Sequence, residues 1–300
     1  MAEVPSYSKV LTLGGLGTEQ ALVGPLTVEE KIDGSQFAFG IDENGELGCR
    51  SHHQQIVMDE PGMFAEAVEH VRRMAATLPG YGPAMFYCEY LQKPKHNTLA
   101  YSGIPLNHLV LFDVFAAGGW ASPERLQFYA DDWQIDSIPV LWQGTGCTTE
   151  LLKELLGTSS YLGGTTVEGV VVKNYGQLVA IGGRTYPLFC KLVNTAFKER
   201  NDREWKENSG RNKLDVLINS FGTEARWQKA VQHLAEQGVL EHSPRDIGNL
   251  MREVAADLMA EETENIKQEL FELYRKDILR SAQRGLPEWY KEQLLGGASS

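Results

Sequence analysis

The feature that most limits how this chain can fold is a change of pattern near residue 203. Before it, short apolar runs alternate with turn residues; after it, strand signals stop and apolar residues recur at helical spacing. The 300 residues divide accordingly into a strand-rich region, residues 1–204, and a helical region, residues 205–300, with the boundary near Glu204. In the strand-rich region AMFYCEYLQ (84–92), HLVLFDVF (108–115) and YPLFCKLVN (186–194) read as strands, and Asn44-Gly45 marks a hairpin. Helices are expected over 59–78, from Ser122 to Trp133, and over Thr148–Leu156. The run TTVEGVVVKNYGQLVAIGG predicts a strand, a turn at Asn174-Tyr175-Gly176 and a return strand. In the helical region Thr223 caps a helix marked by Trp227, Val231 and Leu234. Ser243-Pro244-Arg245-Asp246 opens another in capping-box style. Ile247, Leu250, Met251, Val254 and Leu258 keep helical spacing, as do Ile266, Leu270, Leu273 and Tyr274 further on.

Composition narrows the function classes. Hydrophobic content of 42% supports a sizeable core. No apolar run approaches the roughly 20 residues of a membrane span, and the N-terminus has no signal-like pattern. The four cysteines are scattered with no CxxC pair, which points to a reducing cytoplasm rather than a zinc or disulfide framework. A net charge of −12 argues against non-specific coating of nucleic acid. A few placed Lys and Arg residues must carry any such role. Gly14–Glu19 is glycine-rich but lacks a following GK[ST], so it reads as a turn and not a phosphate loop.

Several charged residues then stand out because they interrupt apolar strands. Lys31 precedes the tight Asp33-Gly34 step, from which a strand with alternating Phe37 and Phe39 leaves. Alone, such a lysine reads as a solvated turn residue. As a nucleophile it must be neutral, a state only roughly one lysine in a few thousand adopts at pH 7 unless cations or a metal favour it. The hairpin returns Arg50 toward Lys31. His52 and His53, treated as strand neighbours, point opposite ways, which disfavours a shared metal. Glu89 and Asp113 sit inside apolar strands, where an unpartnered charge costs several kcal/mol. Lys173 follows three valines, and Lys191 lies within FCKLV.

In order, EKIDG, FYCEY, LFDVF, VEGVVVK and FCKLV resemble the motif series of the lysine nucleotidyltransferase superfamily of ATP-dependent ligases and capping enzymes, over roughly residues 25–200. The resemblance implies that Lys31 attacks the α-phosphate of a nucleotide and forms a covalent lysyl–AMP. It implies that Glu30, Ile32, Arg50, Glu89, Phe112, Lys173 and Lys191 belong to the nucleotide-binding set. Within that set Glu89 lies on the ribose, Phe112 stacks on the purine, and Lys191 and Lys173 belong to the phosphate-handling group. Glu168 is the implied ligand of Mg²⁺ or Mn²⁺. Arg50-Ser51 and the helical tail are similar to type 2, nick-sealing RNA ligases, whereas DNA ligases and capping enzymes add a C-terminal β-barrel. Two departures stand out. Gln36 occupies a place where RNA ligases tend to have asparagine. Phe189 replaces the first of two motif lysines, with Lys173 or Arg184 as its substitute.

The expected fold is α+β: a nucleotidyltransferase (ATP-grasp-like) domain of antiparallel sheets with flanking helices, followed by an α-helical domain. The expected activity is ATP-dependent joining of RNA 3′-hydroxyl and 5′-phosphate ends, with RNA ends or a nicked duplex as partner and a monomeric chain. The alternatives are a DNA ligase, a GTP-dependent capping-type enzyme, or an RNA- or nucleotide-binding protein without catalysis.

Overall fold

Alternating apolar and polar residues give each N-terminal strand a pair of unlike faces, and two sheets meet through the more polar ones. In the computed structural model, residues 2–77, 82–181, 183–194 and 210–296 are described. The first sheet contains β1 (Val10–Thr12), β2 (Leu26–Lys31), β9 (Val140–Gly144), β10 (Gly169–Ile181) and β11 (Arg184–Val193), in the order β1-β11-β10-β2-β9. The second contains β3 (Ser35–Ile41), β4 (Leu47–Ser51), β5 (Ala84–Tyr90), β6 (Leu109–Ala116) and β7 (Gly119–Trp120), in the order β4-β3-β5-β6-β7. A two-residue strand β8 (Asp136–Ser137) pairs with β6. Pairing is antiparallel except for β1 on β11 and β8 on β6. The fold is the α+β arrangement expected from the sequence.

Each sheet has an apolar outer layer. On the second sheet Phe37, Phe39 and Phe86 pack with Trp133 and with α1 (Ala65–Ala75) and α2 (Pro123–Trp133). Phe39 stacks on Phe86 at 4.6 Å, and each fully buried ring of this kind contributes about 2–3 kcal/mol. On the first sheet Val28, Val170, Val172, Leu188 and Cys190 cover α3 (Thr149–Leu155) through Leu152. Ser122 and Thr148 cap α2 and α3 by accepting the N–H groups of Arg125 and Leu151. The inner faces enclose Val4, Tyr7, Ala38, Tyr87 and Phe112, so the N-terminal segment lies between the sheets.

Three expectations need correction. The helix expected over 59–78 is α1, eleven residues long, entered through a 3₁₀ turn at Gly62–Phe64; its expected stop at Leu78-Pro79-Gly80 lies outside the described residues. No reversal occurs at residues 174–176. β10 continues through them with a bulge between Asn174 and Leu178, and the return strand is β11. The reason is Asn174, whose Oδ1 accepts the N–H groups of Gly176 and Gln177 while its Nδ2 donates to Ala21 and Val23. The third correction concerns the C-terminal helices.

These are α4 (Gly210–Asn219), α5 (Glu224–Glu236), α6 (Ile247–Gln283) and α7 (Leu286–Gly296). The two separate apolar runs belong to one 37-residue helix, α6. Trp227 and Val231 are exposed, and α5 instead buries Arg226, Ala230, His233 and Leu234. An ion pair accounts for this choice of face: Arg226 Nη1 lies 2.6 Å from Asp257 on α6. The boundary expected near Glu204 lies outside the described residues. No helix among the described residues is long and apolar enough to cross a membrane.

Candidate active site

β2 ends at Lys31 because the next residues must turn into β3, and the turn is fixed from three sides. Asp33 accepts the N–H groups of Thr98 and Leu99 at 2.7 and 2.6 Å, and donates its own N–H to the Tyr101 hydroxyl at 2.8 Å. Asn97 Nδ2 donates to the Gly34 carbonyl at 2.8 Å. A Cβ on Gly34 would come within 2.8 Å of Leu91 Cδ1 and 2.9 Å of the Tyr90 carbonyl, so only glycine fits. From α5, Gln232 Nε2 donates to the Gly34 carbonyl at 3.1 Å. The Asp33-Gly34 pair is thus the fixed point behind Lys31.

Strand register brings the charged residues onto one inner face. Lys31 is opposite Gly169, the residue after Glu168, and Lys191 is opposite Val171 on the same three-strand ribbon. Lys31 Nζ donates to Glu168 Oε2 at 2.6 Å, with the two side chains 26% and 12% exposed. Glu89 comes from the facing sheet, where it pairs with Gln36.

The electrostatics of this group decide its resting state. Burial pulls the Lys31 ammonium down, but Glu168 and Glu89 outweigh both burial and the repulsion from Lys191, so its pKa stands above the ordinary lysine value. Glu89 is pushed up to about 8, mainly by burial and only partly offset by Lys31. Glu168 is raised by burial and brought partly back by Lys31. The ligand-free site therefore holds a protonated lysine among carboxylates that lack enough positive charge.

Lys173 occupies a different place. It is opposite Thr27, four residues or about 13 Å along β2 from Lys31. Its ammonium is 2% exposed, 2.8 Å from Glu29 and 3.3 Å from Asp113, and donates to the Phe112 carbonyl. Asp113 also accepts the hydroxyls of Tyr7 at 2.6 Å and Tyr175 at 3.1 Å. Burial raises Glu29 to about 7, against the pull of Lys173. The Phe112 ring meets Tyr7 edge-on at 5.0 Å and lies 5.3 Å from Lys173 Nζ. Phe189 is buried there too, stacked on Tyr7 at 5.7 Å and edge-on to Trp120 and Tyr175.

The remaining sequence candidates are distributed around these two clusters. Glu30 alternates to the other face of β2, where its Oε2 accepts the Tyr161 N–H at 3.2 Å. Ile32 is buried in the core of the second sheet. Arg50 lies opposite Ala38, two positions along β3 from Gln36, and donates to the carbonyls of Val4, Ser51 and His52. The side chain of Arg184 lies outside the described residues. Sequence reasoning missed Glu29, hidden beside two residues that drew attention. It also missed Gln232 and Glu236 of α5, which reach the Gly34-Ser35 segment; Glu236 additionally acts on Glu89. No local pattern marks those helix positions.

The family model for RNA ligases matches residues 24–185, more than half of the chain. Among solved structures, Naegleria gruberi RNA ligase with AMP and manganese is similar at 14% identity and a TM-score of 0.48, covering 65% of this chain and 57% of that one. The same ligase with ATP and manganese, in another variant, matches at 14% identity and a TM-score of 0.49, covering 64% and 57%. The chain therefore spans less than three fifths of the length of these structures. None of the curated proteins compared with it matches.

Proposed function

The chain belongs to the RNA ligase family, and from that premise we propose that it is an ATP-dependent RNA ligase that joins 3′-hydroxyl and 5′-phosphate ends through a lysyl–AMP on Lys31. The observation that carries this reading is the group of half-buried Lys31, Glu89 and Lys191 with buried Glu168 at one end of the seam between the sheets.

Lys31 Nζ, once neutral, attacks the α-phosphorus; an N–P bond forms and pyrophosphate leaves. The RNA 5′-phosphate then takes the adenylate from Lys31, restoring the amine. The 3′-hydroxyl finally attacks that phosphate and AMP leaves. Lys191 would stabilise negative charge on the phosphate from β11, two strands from Lys31. Glu30 Oε1, buried without a hydrogen-bond partner, is an acceptor suited to the exocyclic amine of a purine. Glu168 and Glu89 form an oxygen-only donor set short of positive charge, which fits Mg²⁺ or Mn²⁺. When bound, such an ion offsets phosphate charge and weakens the hold of the carboxylates on the Lys31 proton. Lys173 is assigned to the joint between the sheets rather than to the phosphate.

Incubation with α-labelled ATP and magnesium, followed by a denaturing gel, tests the reading. Label should stay on the wild-type chain, and Lys31→Ala should carry none. Labelled Lys31→Ala would overturn the nucleophile, no label under any divalent metal would overturn the activity, and label from GTP alone would point to a capping-type enzyme.

A further inference from the structure

Away from Lys31, the C-terminal helices meet the strand-rich region at a second polar cluster. His52 and His53 leave β4 in a bend rather than as strand neighbours, so their rings are not forced to opposite sides. Their centroids are 4.8 Å apart, edge to face. His53 in turn faces His233 of α5 at 4.4 Å, and His233 Nδ1 lies 2.8 Å from Glu253 Oε1 of α6. One ligand atom each from His53, His233 and Glu253 falls within 4.8 Å of the other two. A tetrahedral ion with bonds of about 2.0–2.1 Å needs ligand atoms roughly 3.3–3.4 Å apart. Small side-chain rotations at the exposed His53 close that gap.

We propose that His53, His233 and Glu253 form a three-ligand site for a transition-metal ion of the zinc type, clipping α5 and α6 to the loop after β4. Two imidazoles and one carboxylate are donors that suit zinc, cobalt or nickel, whereas magnesium and calcium prefer oxygen alone. The surroundings favour a cation. Asp257 and Glu261 follow Glu253 at four-residue spacing on α6, partly balanced by Lys229 at 2.7 and 2.8 Å and by Arg226 at 2.6 Å from Asp257. The clip also reaches toward the nucleophile turn: His52 Nδ1 donates to Gln36 Oε1 at 2.6 Å, and Gln36 sits opposite Glu89. The proposal is independent of the ligase reading, since it needs no nucleotide.

The full chain, purified with a chelator and returned to buffer with excess magnesium to saturate hard-cation sites, is titrated with cobalt(II). One equivalent should produce the visible absorption of four-coordinate cobalt, and zinc should displace it and raise the Tm. His53→Ala removes an exposed side chain, so its metal-free Tm should equal that of the wild type. It should bind cobalt at least about tenfold more weakly and lose the zinc-dependent rise. Glu253→Gln, which keeps a polar partner for His233, should lose the response in the same way. No cobalt band in the wild type, or a zinc response equal in the wild type and His53→Ala, overturns the site.

Discussion

Glu168→Gln separates two things that Glu168 does. In the ligand-free protein its carboxylate holds the Lys31 ammonium at 2.6 Å. At that distance the attraction is about 1.6 kcal/mol for water's dielectric and about 6 kcal/mol for an effective dielectric near 20. The Lys31 side chain is 26% exposed, so screening favours the lower half of this range, about 1.5–4 kcal/mol. Glu89, pushed up to about 8 mainly by burial, replaces only part of the lost charge near pH 7. Burial and Lys191 then act on Lys31 in the same downward direction. The glutamine variant should therefore have a more reactive lysine. Competitive acylation with acetic anhydride across pH, read by mass spectrometry on the Lys31 peptide, measures it. The midpoint should fall, with acylation at pH 8 rising roughly tenfold or more. Labelling by ATP should move the other way, falling at least about 100-fold as the metal position is lost. An unchanged acylation midpoint would refute the electrostatic account. Parallel rises in acylation and ATP labelling would refute Glu168 as a metal ligand.

Three further outcomes follow from the same electrostatics and packing. Lys173→Met leaves Glu29 and Asp113 buried without their cation and should destabilise the fold by about 3–5 kcal/mol in chemical denaturation, while folded protein keeps its ATP labelling; wild-type stability with lost labelling would return Lys173 to the phosphate. Phe189→Lys restores the family's paired lysines but places a charge among Tyr7, Trp120 and Tyr175; a loss of about 3 kcal/mol or more is expected, and unchanged stability would show that the rings do not exclude a lysine. Glu89, whose folded pKa of about 8 lies above its ordinary 4.5, takes up a proton on folding, so its stability contribution is present at low pH and lost as pH rises toward 8. Glu89→Gln stays neutral throughout and should match the wild type at pH 5 but exceed it at pH 9 by about 4 kcal/mol; equal stability at both pH values would contradict the raised carboxyl.

Much of the strand-rich region was legible because its signals are local. Alternation located β3, apolar runs located β5, β6 and β11, Asn44-Gly45 located the hairpin, and the five motifs pointed to Lys31, Glu89, Glu168 and Lys191, which the fold gathers at one seam. What escaped depends on contacts far apart in sequence. Asn174 looked like a turn former, yet the carbonyls of Ala21 and Val23, some 150 residues away, hold it inside a continuous strand. Apolar spacing marked α5 by Trp227, Val231 and Leu234, but only Leu234 is buried; the partner helix offers Asp257 and Glu253, so Arg226 and His233 turn inward as well. Neighbouring His52 and His53 were judged by strand geometry, although β4 ends at Ser51.

The half-buried Lys31 and the buried Lys173 show why one end of the seam suits chemistry and the other does not. Lys173 meets two carboxylates and a carbonyl, and the phenols of Tyr7 and Tyr175 complete the shell around Asp113, so that end is a finished joint. Phe189 fits there, stacked on Tyr7 and edge-on to Trp120 and Tyr175. Lys31 has one direct carboxylate, a second lysine nearby, and Glu89 held largely protonated at neutral pH. On the proposed reading, a divalent cation on the carboxylates would lower the lysine's proton affinity, and Lys191 would face the phosphate oxygens. A site arranged this way keeps its nucleophile protonated until both partners arrive. Adenylylation at fixed ATP should therefore depend on divalent metal more steeply than ATP binding does. Labelling and equilibrium binding titrated side by side with magnesium measure the difference, and equal metal dependence of the two would show that the carboxylates do not hold the proton.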